Sequence, residues 1–287
     1  MKLEVRELTD TKCTMVVDKV RPDVMNSIRR TLISDVPKMA IDEVEFHMGP
    51  IRDEEGNEYD SNSALFDEMI AHRLSLVPIP TDLEHFTFRD QCECGGTGCP
   101  NCTIIYVMNK KGPCTVYSGD LQPLGDMSLR IKEELIPVVK LKEKQALLIY
   151  ATAVLGMGKT HAKWQPVTIC GFMNYPKLVV NKNAKLDDPE EVVKVFPEGV
   201  LAYEKGKIVV KDLKPLEKRD PTYYDSSALD AINGEKAIEI SYEEDKFVFT
   251  FETDGSIPAK DALNYALNQL SDRYEGLREE ISGLDEA

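Results

Sequence analysis

The pattern that most constrains this chain lies near its end. Leu263, Leu267, Leu270, Tyr274, Leu277, Ile281 and Leu284 recur at alternating intervals of four and three residues. That spacing lines one narrow stripe of an α-helix, the kind of seam that a second helix covers in a coiled coil. A helix-on-helix contact with another subunit is therefore expected. The alternative is an amphipathic helix lying on the chain's own sheet, favoured by Gly276 and Gly283, which weaken helix propensity there. With 287 residues the chain exceeds one ordinary compact domain, so two or three are expected.

Upstream, the periodicities alternate between strand and helix. Leu3 and Val5 sit between charged neighbours and Thr14 to Val17 are β-rich, so two short antiparallel strands open the chain. Pro22 and Asp23 then favour a helix start, with Val24, Ile28 and Leu32 on its apolar face and Asn26, Ser27, Arg29 and Arg30 opposite. Val44, Phe46 and Met48 alternate with polar residues as in a half-buried strand. A second helix is expected over about 64–74, capped by Ser63, with Leu65, Phe66, Met69, Ile70 and Leu74 inward; Pro78 and Pro80 end it. Residues 104–155 read as a β-rich insertion. Residues 185–225 read as a small satellite module, with a short helix opening at Asp187 to Glu190 and a strand at Lys207 to Val210. Ile238, Ile240 and Tyr242, then Phe247, Phe249 and Phe251, flank Glu243-Glu244-Asp245, which predicts a hairpin before the final helix. The fold class is α+β.

Cysteine placement carries the one chemical motif. Cys92, Cys94, Cys99 and Cys102 fall within eleven residues around a glycine-rich turn, a spacing that lets four thiolates converge on one tetrahedral metal ion. A closed structural zinc site is the favoured reading, with an iron–sulfur cluster or a redox pair as alternatives. Cys13, Cys114 and Cys170 are isolated and read as packing residues. His47, His72, His85 and His161 show no HExxH or other paired spacing, and Gly156-Met157-Gly158-Lys159 lacks the spacing of a phosphate loop. No catalytic constellation is present. Fifty acidic against 35 basic residues, a net charge of −15, oppose strong direct DNA binding. The opening segment lacks the apolar stretch of a secretory signal and no run approaches membrane-spanning length, so the cytoplasm is expected, where thiols stay reduced.

Asn26-Ser27-Ile28-Arg29-Arg30-Thr31-Leu32, followed by Val36-Pro37 and Ala40-Ile41-Asp42, resembles the α-like assembly subunits of cellular RNA polymerases, whose members include the bacterial α subunit and the third-largest subunit of eukaryotic polymerase II. Ala71-His72-Arg73-Leu74-Ser75-Leu76-Val77-Pro78-Ile79 is similar to that family's second motif, and His161-Ala162-Lys163-Trp164-Gln165-Pro166-Val167 to its archaeal and eukaryotic form. The resemblance implies a split α-subunit-type dimerisation domain, an antiparallel sheet with two helices, built from residues 1–45, 169–184 and 226–287. It is interrupted by an insertion domain at 46–168, with a zinc loop at 92–102, and by a degenerate ferredoxin-like module at 185–225. No cysteine lies beyond Cys170, so thiolates cannot hold an iron–sulfur cluster in that module.

The same resemblance implies roles. The final helix would pair with subunit L through Leu263, Leu267, Leu270, Tyr274, Leu277 and Ile281. Asn26, Arg29 and Arg30 would face the large catalytic subunits, and other small assembly subunits would join. The implied function is a non-catalytic assembly subunit for transcription, in which nucleotidyl transfer belongs to the whole complex. A stand-alone zinc adaptor and a metalloenzyme using a histidine such as His72 are the competing readings; the closed thiolate set argues against the second.

Overall fold

A computed structural model describes residues 2–52, 55–181, 188–218 and 238–285. In chain order the elements are β1 (Lys2–Leu8), β2 (Lys12–Asp18), α1 (Pro22–Ser34), β3 (Pro37–Phe46), β4 (Ile51–Arg52), β5 (Glu58–Tyr59) and α2 (Asp67–Ser75). Then come β6 (Thr103–Lys111), β7 (Cys114–Tyr117), β8 (Gln122–Pro123), β9 (Pro137–Leu141), β10 (Ala146–Met157) and β11 (Val167–Val180). The last are α3 (Pro189–Val195), β12 (Leu201–Glu204), β13 (Lys207–Val210), β14 (Ile238–Thr253) and α4 (Ala259–Asp285). They fall into two compact units. One comprises Met1–Glu7, Thr14–Met25 and Gly171–Thr250, the other Leu8–Cys13, Asn26–Cys170 and Phe251–Ala287.

The second unit is organised by β10, the central strand of a sheet ordered β3-β10-β6-β8. Both neighbours of β10 run antiparallel to it. Leu147, Ile149, Ala151, Ala153 and Leu155 point from β10 into the main core, facing Ile104, Tyr106 and Met108 of β6, with Ile70 and Leu74 of α2 in the same cluster. Along β3 the register slips between Thr152 and Ala153, whose partners are Glu43 and Ile41, so Asp42 is the extra residue of a β-bulge. The slip changes parity. Met39 and Ile41 before it, and Val44 and Phe46 after it, therefore all reach the same core. Two-stranded ladders β7-β9 and β4-β5 complete the β-rich region.

In the first unit the strand order is β1-β2-β14-β11. Phe172 meets Phe247 edge to face at 5.5 Å between ring centroids, and Lys246 lies over the Tyr175 ring at 3.6 Å. Asp188 caps α3 by accepting hydrogen bonds from the Glu190 and Glu191 backbone N–H groups, and Pro189 occupies its first turn. Between β12 and β13, Lys205 and Gly206 both have positive φ, 51° and 79°, the tight hairpin geometry that matches strand twist. Val192, Phe196, Val200, Leu201 and Leu216 form a small apolar core with Leu178 and Ile238. Arg6 holds the buried Glu217 at 2.9 Å.

Several sequence expectations are corrected. Residues 238–253 form one continuous strand, not a hairpin. The backbone of Glu243-Glu244-Asp245 is engaged: Val20 N–H donates to the Asp245 carbonyl at 3.0 Å and the Asn174 amide to that of Glu243 at 2.9 Å. Helix α2 begins at Asp67, because the Ser63 hydroxyl closes a local turn with Leu65 instead of capping the helix. Its buried stripe is Ile70 and Leu74, while Phe66, 77% exposed, and Met69 face outward. On α1, Met25 takes the buried place assigned to Val24, so Met25, Ile28 and Leu32 form the inner stripe. Met48 lies beyond β3 and is exposed. Asp187 and the side chain of Leu284 lie outside the described residues.

Gly156 near the end of β10 and Gly158 just past it have a packing role. A Cβ on Gly156 would collide with the Trp164 indole, and one on Gly158 with the Ile33 carbonyl. Gly156→Ala is expected to destabilise the fold by about 1–3 kcal/mol through overpacking, measured as a lower midpoint in thermal or urea unfolding.

Candidate docking faces and metal centre

Helix α4 presents two different faces. Asp254 begins the turn that launches it, accepting a hydrogen bond from the Ser256 N–H at 3.0 Å, and Gly255 supplies the positive φ of 88° that the turn requires. The Asp254 carboxylate pairs with Lys38 of β3, whose side chain is only 4% exposed. From there Ala259, Ala262 and Ala266, spaced three and four apart and fully buried, pack α4 against its own chain. Small side chains allow that close approach. The apolar stripe foreseen from sequence lies elsewhere on the cylinder. Leu263 and Leu270 are half-buried, whereas Leu267, Tyr274, Leu277 and Ile281 are 41, 62, 53 and 53% exposed. Such a row of large apolar side chains is unusual on a surface with no partner.

Helix α1 shows a second accessible face. The Arg29 guanidinium donates through Nε and Nη2 to the Asn26 Oδ1 at 3.1 and 3.0 Å, which holds the side chain in a fixed orientation one helical turn from Asn26. Arg30 is exposed. After α1 ends, Asp35 is buried and accepts from the Ser34 hydroxyl at 2.9 Å and from Arg273 Nη1 of α4 at 2.8 Å.

The four cysteines of 92–102 are brought together. All four Sγ atoms lie within 4.8 Å of one another. The separations Cys92–Cys99, Cys94–Cys102 and Cys99–Cys102 are 3.5, 3.7 and 3.8 Å. Thiolates about 2.3 Å from a tetrahedral ion stand about 3.8 Å apart, so the set fits a divalent cation such as zinc. Gly95, Gly96 and Gly98 all take positive φ, 66°, 82° and 92°, folding the loop tightly enough to converge the thiols. The Arg89 guanidinium braces the loop by donating to the Gly96 carbonyl at 3.0 Å, and Cys102 leads directly into β6. The thiols are unequal. The Gly98 backbone N–H, with neighbouring thiols and Thr97, draws Cys94 down to about 6. Cys99 is drawn down by the Asn101 backbone N–H, yet the surrounding thiols and burial together push it up to about 11. Four crowded thiols resist losing every proton unless a cation replaces those charges.

The remaining motif residues hold the chain together. Arg73 donates to the Val138 carbonyl at 2.8 Å, tying α2 to β9. Trp164 Nε1 donates to the Val154 carbonyl at 3.1 Å, and Lys163, 4.2 Å from the indole centroid, pairs with Asp42 at the bulge. His161 Nδ1 accepts from the Lys163 N–H at 3.1 Å. The ion pairs Lys38–Asp254 and Arg273–Asp35 were not foreseen. Their partners stand more than 200 residues apart in sequence, beyond the range of any periodic signal. No described helix is long and apolar enough to cross a membrane.

Comparison with known proteins identifies the family. The family described as the RNA polymerase Rpb3/Rpb11 dimerisation domain matches residues 14–274. The DNA-directed RNA polymerase subunit Rpo3 of Thermoplasma volcanium is 42% identical over 98% of this chain and 100% of its own length. Those of Picrophilus torridus and Methanothermobacter thermautotrophicus are 41 and 36% identical, covering 98 and 96% of this chain and 99 and 97% of their own lengths. With a family match across most of its length and full-length relatives at this identity, the chain belongs to the RNA polymerase Rpb3/Rpb11 dimerisation-domain family.

Proposed function

We propose that this chain is the non-catalytic assembly subunit of an archaeal DNA-dependent RNA polymerase. It pairs with a small partner, subunit L, to form the platform on which the large catalytic subunits and other small subunits assemble in the cytoplasm. The observation that carries this reading is the division of α4. Its alanine stripe is covered by its own chain, while Leu267, Tyr274, Leu277 and Ile281 stand open along the seam spacing. A helix from a partner of the same dimerisation family covers such a stripe by knobs-into-holes packing, together with the half-buried Leu263 and Leu270 of the same seam.

The other assignments follow from this platform role. The dimerisation domain is assigned to residues 1–45, 169–184 and 226–287, the insertion to 46–168 and the degenerate ferredoxin-like module to 185–225. Asn26, Arg29 and Arg30 are assigned to the large catalytic subunits, because a pre-oriented guanidinium loses little freedom on meeting a carboxylate. Cys92, Cys94, Cys99 and Cys102 are assigned to one structural zinc ion, which would cross-link the loop and hold it against the start of β6.

Three outcomes test these assignments. Leu267→Asp combined with Leu270→Asp places two carboxylates in the seam, and is expected to weaken pairing with co-expressed subunit L by about 1000-fold or more. Circular dichroism should remain that of the parent; a 1:1 complex surviving size-exclusion chromatography would refute the seam. Arg29→Glu with Arg30→Glu is expected to leave that heterodimer intact while the large subunits fail to join it in reconstitution, as judged by native mass spectrometry. For the metal, elemental analysis of protein purified without added zinc should give about one equivalent, and Cys99→Ser should reduce it to less than half. Iron in place of zinc, or neither metal, counts against the site.

A further inference from the structure

The covered face of α4 does not stop at its last alanine. Ala259, Ala262 and Ala266 define it, and Arg273, two helical turns beyond Ala266, lies on the same line. There Arg273 reaches Asp35, the residue immediately after α1, at 2.8 Å. The two ends of this contact differ in environment. The Asp35 side chain is 11% exposed and receives the Ser34 hydroxyl as well, whereas that of Arg273 is 50% exposed. Beyond Arg273, every residue of α4 up to Gly283 is exposed except Gly276, which is half-buried. Alanine packing thus holds the first two turns, and the ion pair stands where the helix leaves its own chain.

Resting on the reading that the seam of α4 receives a partner helix, we infer that Asp35 and Arg273 are positioning residues for that interface. The pair does not cover the partner. It fixes the direction in which the second half of α4 leaves the body, and with it the line along which Tyr274, Leu277 and Ile281 are offered. Knobs-into-holes packing tolerates little error in crossing angle, so a helix free to swing about Ala266 must be immobilised as the partner seats. An ion pair on the covered face removes that freedom beforehand. Because Asp35 directly follows α1, the same bond ties the orientation of the seam to the end of the helix that carries Arg29 and Arg30. The contact is half-exposed, so it is sensitive to salt, unlike the apolar seam.

The test is the affinity for subunit L of four full-length variants: Arg273→Ala, Asp35→Asn, the charge exchange Asp35→Arg with Arg273→Asp, and the seam variant Leu267→Asp with Leu270→Asp. Each neutralised single variant should bind about fivefold more weakly at low salt. The loss should shrink in high salt, with helicity and unfolding midpoint near those of the parent. The charge exchange should recover most of the affinity if the two side chains act through each other. If both single variants bind as the parent does, or if the exchange variant folds and binds no better than they do, the inference is overturned while the seam stands. If the exchange variant fails to fold, the single variants and their salt dependence decide: losses equal at both ionic strengths overturn it. If the seam variant binds like the parent, the underlying reading fails instead.

Discussion

The ion pair between Lys38 and Asp254 is the contact on which the arrangement of α4 depends. Both side chains are almost removed from water, so neither charge is tolerable alone, and loss of one partner from such a site costs about 3–5 kcal/mol. Lys38 belongs to the opening of β3, where Pro37 to Ile41 are all buried, and Asp254 stands at the turn into α4. Joining them fixes where the final helix begins. The Thr81 hydroxyl adds to the junction by accepting the Met39 N–H at 2.9 Å, while the Thr81 N–H donates to the Ser256 carbonyl at the same distance. With its start fixed, α4 can use only small side chains to approach its own body, and the large ones are left facing outward.

The β-bulge at Asp42 performs a comparable service for the sheet ordered β3-β10-β6-β8. One extra residue changes which side of β3 faces the core, so apolar residues on both sides of the slip serve a single core. The displaced Asp42 is held by Lys163, whose ammonium lies over the Trp164 indole. Trp164 in turn occupies the space that the missing side chain of Gly156 leaves open. One bulge, one cation and one glycine thereby lock the stretch from Gly156 to Trp164 to a strand more than a hundred positions away. The motif residues around His161 contribute to this packing.

The same logic separates the two kinds of polar chemistry in the chain. Around residues 92–102 the glycines fold a short loop so that four thiols converge, a local event contained within eleven residues. At α1 and α4 the polar groups act at long range, joining the end of one helix to the flank of another. Local chemistry of the first kind is visible in spacing. Long-range chemistry of the second kind emerges only when strands and helices have been assembled.

From the sequence alone came the stripe of leucines in the last helix, the convergence of the four cysteines, the β-rich character of residues 104–155 and the helix carrying Asn26, Arg29 and Arg30. Each is a short-period pattern, set by 3.6 residues per helical turn, by alternation along a strand, or by ligand spacing within one loop. The sequence could not show which face of α4 would be covered, because an alanine stripe and a leucine stripe are both plausible cores until the body beneath them is known. Nor could it show that residues 238–253 run straight. Three acidic residues make a turn when their backbone is free and a strand when neighbouring residues supply its hydrogen-bond partners. Tertiary structure decided both, since burial and backbone pairing depend on residues more than sixty positions away.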